Sequence, residues 1–276
     1  MDYVHTVVLT GVTGKLGMSL LENFHKNHYK IICLVRDLDE FNNILWARLN
    51  IQESKLIEKF QLDLISQNWV SELDSFLTSI SAVPDILVNN AAINTPIGSI
   101  EKTSLEEWKE NFDINFFSPI ALIKLFLEKR NTEKHAWIFN ISGGGVTHKP
   151  IPFFNPYACA KSALIRLTEN LSIEMEGQGI SFNCITPGFL SSSMHLPSLD
   201  KDSNLPSEIR EKISQEYLKG GQDPSKTFNL MSRIVSQASI HFSGNLISPI
   251  WDTFNDVDLS QNTVNNDDYK IRRRYR

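Results

Sequence analysis

Short apolar runs alternate along the chain with longer segments of helical period. Val4–Thr10, Ile31–Val35, Ile86–Asn89, Trp137–Ile141 and Ser181–Ile185 are β-branched or apolar almost throughout, with Phe60–Asp63 as a further short run. Unbroken apolar runs of this length suit strands covered on both faces. Leu16–Phe24, Val70–Ile80, Trp108–Leu127, Tyr157–Met175 and Ser225–Ser236 carry helical periodicity between them. Strand alternating with helix predicts βαβ units: an α/β fold, doubly wound, with a parallel sheet, helices on both faces and right-handed crossovers. No internal repeat interrupts the pattern. Pro187-Gly188 ends a strand and opens a polar stretch, Phe189–Asp223, containing Pro197, Pro206 and Gly220-Gly221. A connection this long is expected to be a binding loop or lid. From Thr253 to Arg276 the periodicity fades into a polar tail with a basic end, so residues 1–252 are expected to form one domain.

Composition narrows the class. The 276 residues are 41% hydrophobic and carry a net charge of −5, which suits one sizeable core and argues against a globally basic nucleic-acid binder. Cys33, Cys159 and Cys184 lie far apart, in no metal-ligand spacing. Three scattered cysteines fit a reducing compartment, and a cytoplasmic location is expected. No run is long enough to span a membrane, and the start, Met1 to His5, has no basic region of the secretory kind.

The first strand ends in Thr10-Gly11-Val12-Thr13-Gly14-Lys15-Leu16-Gly17, just before a helix. Glycines let backbone approach a ligand closely, and a helix N-terminus offers free N–H groups to a pyrophosphate. The turn therefore reads as a dinucleotide cradle, although its G-x-x-G-x-x-G spacing departs from G-x-G-x-x-G and a plain tight turn is the competing reading. At the end of the second strand stands Arg36, followed by Asp37. An acid there would bond a ribose 2′-OH and an arginine would accommodate a 2′-phosphate. Arg36 together with Lys15 favours NADP, with NAD as the alternative. Asp63 and the run Asn89-Asn90-Ala91-Ala92 close later strands.

Tyr157 and Lys161 are four apart at the start of a helix and so share a face. A neighbouring ammonium stabilises phenolate, so Lys161 is expected to lower the Tyr157 pKa and make it a proton donor or acceptor for a carbonyl or alcohol. An exposed i,i+4 pair is the plainer alternative.

With these pieces in order, the chain resembles the short-chain dehydrogenase/reductase family. The resemblance is carried by Thr10–Gly17, Asp63, Asn89–Ala92, Asp113-Ile114-Asn115, Asn140-Ile141-Ser142, Tyr157–Lys161 and Pro187-Gly188, and covers roughly Val4 to Asp252. It implies a Rossmann-type sheet of about seven strands, NAD(P)-linked hydride transfer and a homodimer or homotetramer, with the helix from Tyr157 to Met175 as a candidate interface. It implies Tyr157 as general acid/base, Lys161 holding the nicotinamide ribose, and Asn115 holding a water in a proton relay. Gly11, Thr13, Gly14, Lys15, Leu16, Gly17, Arg36, Asp63, Asn89, Ala91, Pro187 and Gly188 would lie against the cofactor.

Two departures from the family pattern stand out. The glycine spacing looks like the branch rich in nucleotide-sugar epimerases and dehydratases, which is one alternative function. The usual Asn-x-Ser-Ser run is here Asn140-Ile141-Ser142-Gly143-Gly144-Gly145. Aligned strictly, Gly143 replaces the catalytic serine. Ser142 could rotate into the role, or Thr147 or a backbone N–H could polarise the substrate. A cofactor-binding scaffold or sensor without turnover is the other alternative. On the substrate side, His195 and His148 are candidate bases, and Phe153, Phe154 and Trp251 candidate pocket walls. Lys270, Arg272, Arg273, Arg274 and Arg276 are either a solvated tail or a binding element for an anionic carbonyl or alcohol substrate.

Overall fold

The computed structural model describes residues 3–49, 54–146, 150–254, 256–263, 267 and 269–271. Seven strands make one sheet: β1 (Thr6–Thr10), β2 (Lys30–Val35), β3 (Ile57–Gln61), β4 (Ile86–Asn89), β5 (Ala136–Ile141), β6 (Ile180–Ile185) and β7 (Asn245–Ile247). Their order is β3-β2-β1-β4-β5-β6-β7, and every pairing is parallel. The helices are α1 (Lys15–Lys26), α2 (Leu38–Ile44), α3 (Trp69–Ser79), α4 (Leu105–Phe112), α5 (Ser118–Lys129), α6 (Asn155–Glu174), α7 (Leu196–Leu199), α8 (Ser207–Leu218), α9 (Ser225–Gln237) and α10 (Asp256–Ser260). This is the doubly wound, Rossmann-type architecture.

The apolar runs are unbroken because both faces of the sheet are covered. Val7 and Leu9 pack with Leu20, Leu21 and Phe24 of α1 and Met231 and Ile234 of α9. Val8, between them in sequence, packs on the other face with Leu73 of α3 and Leu122 and Phe126 of α5. The period-2 alternation of a strand thus feeds two cores instead of one core and solvent. The strand order reverses beside β1, whose neighbours are β2 and β4, and a ligand crevice forms at the carboxyl ends of strands at such a point.

The pattern and the structure differ in five places. The run Phe60–Asp63 is displaced, for β3 is Ile57–Gln61 and Asp63 lies beyond its end. The helix expected over Trp108–Leu127 is α4 and α5 joined by a π turn, Asp113–Phe117. Pro119 has no N–H to donate to the carbonyl four residues back, and the Asp113 carbonyl accepts from both the backbone N–H of Ser118 and its Oγ, the latter at 2.7 Å. The polar stretch Phe189–Asp223 contains α7 and α8, and its ends are closed by Gln222 N–H donating to the Phe189 carbonyl (2.8 Å) and by a Leu190–Gly221 bridge. The three-residue β7 is too short to show as a run. Finally, the expected polar tail is docked as far as Ile271. Leu259 and Thr263 are buried, and Leu246 N–H on the free edge of β7 donates to the Tyr269 carbonyl (2.8 Å).

Candidate active site

A cleft of about 690 Å³ runs across the carboxyl ends of the strands. At one end is the glycine turn. Gly11 sits at φ +64°, and a Cβ there would stand 2.8 Å from the Ala91 backbone, so only glycine lets the turn press against the chain after β4. Asn90 holds the two together. Its amide donates to the Thr10 and Gly11 carbonyls (3.0 and 2.9 Å), while Thr10 Oγ1 accepts from the Asn90 and Ala91 N–H groups (both 2.9 Å). Gly14 caps α1 without a side-chain bond, and the first turn of α1 holds no acid. The helix N-terminus is thereby left to an external anion. Lys15 lies beside it, its ammonium donating to the Gly220 carbonyl at 2.8 Å. Arg36 is exposed at the end of β2, whereas the Asp37 carboxylate caps α2 by accepting from Glu40 N–H (2.9 Å).

At the middle of the cleft α6 presents Tyr157 and Lys161. Lys161 is fully buried, donates to the Ile141 carbonyl at the end of β5 (2.8 Å), and lies 6.0 Å from the centre of the Tyr157 ring. Burial pushes Lys161 down to about 8. It also pushes Tyr157 up to about 12, with a smaller push from Cys184 in the same direction. Against the expectation that Lys161 lowers the Tyr157 pKa, in the protein alone the direction is upward, from burial first and Cys184 second.

Gly143 stands directly against the tyrosine. A Cβ at that position would overlap the Tyr157 hydroxyl oxygen and lie 2.7 Å from Cζ. The phenol fills the room a serine side chain would need. Ser142 lines the cleft with its Oγ buried and without a nitrogen or oxygen partner. Its contact with the Cys184 thiol pulls that group down, against burial that takes it up to about 12.

Of the candidates named from sequence, Gly11, Thr13, Gly14, Lys15, Leu16, Gly17, Arg36, Asp63, Ala91, Ser142, Tyr157, Lys161, Pro187 and Gly188 all line this cleft. Asn89 and Asn115 do not. Asn89 lies between β4 and β5, donating to Asn140 Oδ1 (2.8 Å), and its neighbour Asn90 is the residue that reaches the glycine turn. Asn115 is fully buried by the π turn, and its amide grips Ile93 at both ends, accepting from the N–H (3.1 Å) and donating to the carbonyl (2.8 Å). It also donates to Asn111 Oδ1 (2.8 Å), so its side chain clamps a cleft-lining residue.

On the far side, His195 stacks on Phe189 (4.5 Å between ring centres), and burial lowers its pKa, which keeps the imidazole neutral near pH 7. Phe154 and Trp251 line the cleft, whereas Phe153 does not. Lys270 is bound away from the cleft lining, to the Gly244 and Ser243 carbonyls (2.9 and 3.2 Å), which removes it as a substrate anchor. Thr147, His148, Arg272, Arg273, Arg274 and Arg276 lie outside the described residues. Thr186 was missed from sequence: it lines the cleft just before Pro187 with its Oγ1 buried and unpartnered. Its position before a Pro-Gly turn was the available signal.

The family model for short chain dehydrogenases matches residues 5–203. The chain belongs to that family. It is thus an oxidoreductase-family member with a fold made for NAD(P). It is 30% identical over 169 residues to human dehydrogenase/reductase SDR family member 4, covering 59% of this chain and 57% of that protein. Human retinol dehydrogenase 8 is 29% identical over 188 residues, covering 66% and 58%. The matches span less than two thirds of either relative. Among solved structures, the RhlG/NADP active-site complex of Pseudomonas aeruginosa superposes with a TM-score of 0.73 at 22% identity, covering 89% of this chain and 94% of that one. A gluconate 5-dehydrogenase-like protein of Beutenbergia cavernae gives 0.74 at 20%, covering 94% and 98%. At these identities the likeness is one of fold. No described helix is long and apolar enough to cross a membrane, and no group of three potential metal ligands occurs among the described residues.

A dinucleotide fits the residues present. The uncapped N-terminus of α1 would take the pyrophosphate, and the orphaned Thr186 Oγ1 offers a hydroxyl further along the same cleft.

Proposed function

We propose that this protein is an NADP(H)-preferring oxidoreductase that interconverts a carbonyl and an alcohol on a small molecule. The observation that carries the reading is the pairing of Tyr157 and Lys161 on the floor of a cleft that begins at the glycine turn. The nicotinamide, when bound, supplies or accepts the hydride. Tyr157 handles the proton. Burial pushes its pKa up, so in the protein alone the phenol is protonated and can donate to a carbonyl oxygen. Lys161 would hold the ribose and, while charged, ease proton loss from Tyr157. Ser142 is the hydroxyl available to orient the substrate oxygen. Asn115 acts as a positioning residue through Ile93. Arg36 and Lys15 would meet a 2′-phosphate, and the use of Asp37 as a helix cap supports NADP over NAD.

The stretch Phe189–Asp223 is proposed as the lid of a domain spanning residues 1–252. Three free cysteines fit a cytoplasmic setting, and exposed Phe117 and Ile173 are available to a homodimer or homotetramer.

The test is Tyr157→Phe with NADPH and a carbonyl panel. Turnover should fall about 100- to 10,000-fold, with NADPH affinity held within about twofold. Undiminished turnover overturns the assignment. Gly143 favours a second reading, a cofactor-binding sensor without turnover. Tight NADPH binding with no carbonyl reduced by the wild type selects it.

A further inference from the structure

The cleft is divided by charge. Its charged lining residues are Lys15, Arg36, Asp37, Glu40, Asp63 and Lys161. All but Lys161 belong to the glycine turn or to the segments at the ends of β2 and β3, and Lys161 is tied to the Ile141 carbonyl. Beyond Tyr157 the walls are Ile93, Ile151, Phe154, Met194, Ile213 and Trp251. Among the described residues, no charged side chain lines that half. The one titratable group there, His195, is stacked on Phe189 and held neutral by burial. Ile151, Phe154 and Ile213 belong to one apolar cluster joining the loop before α6 to α8. The apolar wall is therefore built into the packing of the proposed lid and is more than a scatter of exposed side chains.

We infer that the substrate is a neutral, apolar ketone or aldehyde, and that anionic carbonyl compounds are excluded from this half of the cleft. This rests on the proposed carbonyl reduction. A carboxylate pressed among these side chains would lose its water and find no counter-charge among the described residues, whereas a methyl or ring in the same place gains from leaving water. Trp251, 68% exposed yet lining the cleft, stands at its mouth as an apolar surface for a bulky substituent.

The test uses two ketones of matched shape, 4-methylacetophenone and 4-acetylbenzoate. Full-length protein with NADPH is assayed for reduction, and NADP-loaded protein is titrated with each ketone by calorimetry. The neutral ketone should be preferred by about 100-fold or more in kcat/KM, and should alone give a binding isotherm. Ile213→Arg should narrow the preference by about tenfold or more by supplying a counter-charge. Equal or better use of 4-acetylbenzoate by the wild type overturns the inference and leaves the carbonyl-reductase reading in place. Binding of 4-methylacetophenone alone, without reduction, supports the inference about the pocket and overturns the reading of its chemistry. If neither ketone binds at millimolar concentration, the inference fails.

Discussion

The two halves of the cleft were built under different constraints. The cofactor half consists of strand ends and one helix N-terminus. Its residues are fixed by backbone demands: a positive φ at Gly11, a Cβ-free approach to Ala91, and an Asn90 amide bridging two carbonyls. The substrate half consists of side chains from the loop before α6, the chain after β6 and α8, held together by apolar packing. Where backbone geometry sets the requirement, few residues satisfy it. Where only bulk and polarity matter, many do, and the lining can change without disturbing the fold.

The boundary between the halves is where substitution should be felt most. Gly143→Ser would insert a side chain into the space of the Tyr157 hydroxyl, so carbonyl reduction should fall by about 100-fold with NADPH binding retained. A gain in activity would show instead that the site lacks a hydroxyl, and would break the contrast between a filled position and a missing group. Next comes the cofactor half alone. Arg36→Ala should lower NADPH preference over NADH by about tenfold or more, measured as the ratio of kcat/KM values, with little change in the ranking of ketones. The third effect is one of pH. Lys161 loses its charge as pH rises through about 8, so the reduction rate should decline toward tenfold per pH unit above that point. A flat profile from pH 7 to 10 would show that the ammonium is not needed. The smallest effect belongs to Asp37→Ala, which removes the cap of α2 and should cost about 1 kcal/mol, read as a lower Tm, without changing NADH or NADPH use. A fall in NADH use would mean that Asp37 bonds a ribose 2′-OH as well as capping the helix, and a rise in NADPH use that it repels a 2′-phosphate.

The same contrast decides what could be read from sequence. Most central strands were visible because burial on both faces leaves them largely apolar, whereas β3 with Glu58, Lys59 and Gln61 and the three-residue β7 gave less; the glycine turn was visible because its spacing answers a steric need. Tyr157 and Lys161 were legible from their four-residue separation. Their electrostatics were not, since separation says nothing of the burial that sends the phenol up and the ammonium down. Asn89 and Asn90 look alike in sequence until the pleat of β4 turns one inward between strands and leaves the other at the turn. Asn115 was legible as a candidate, but its bonds to the Ile93 backbone follow from a π turn that hydrophobic periodicity does not reveal. The apolar walls Ile93, Ile151 and Ile213 carried no signal, for isoleucine in a loop or on a helix is ordinary until the packing is known.

The docking of residues beyond Thr253 on β7 has a consequence for handling the protein. An outer strand with bare N–H and C=O groups is a template on which other chains can nucleate aggregates. Here Leu246 is already paired to Tyr269, and Lys270 places a cation on the neighbouring Gly244 carbonyl. A version shortened before Tyr269 should clump during storage, as light scattering would show, while the cleft at the strand ends stays intact.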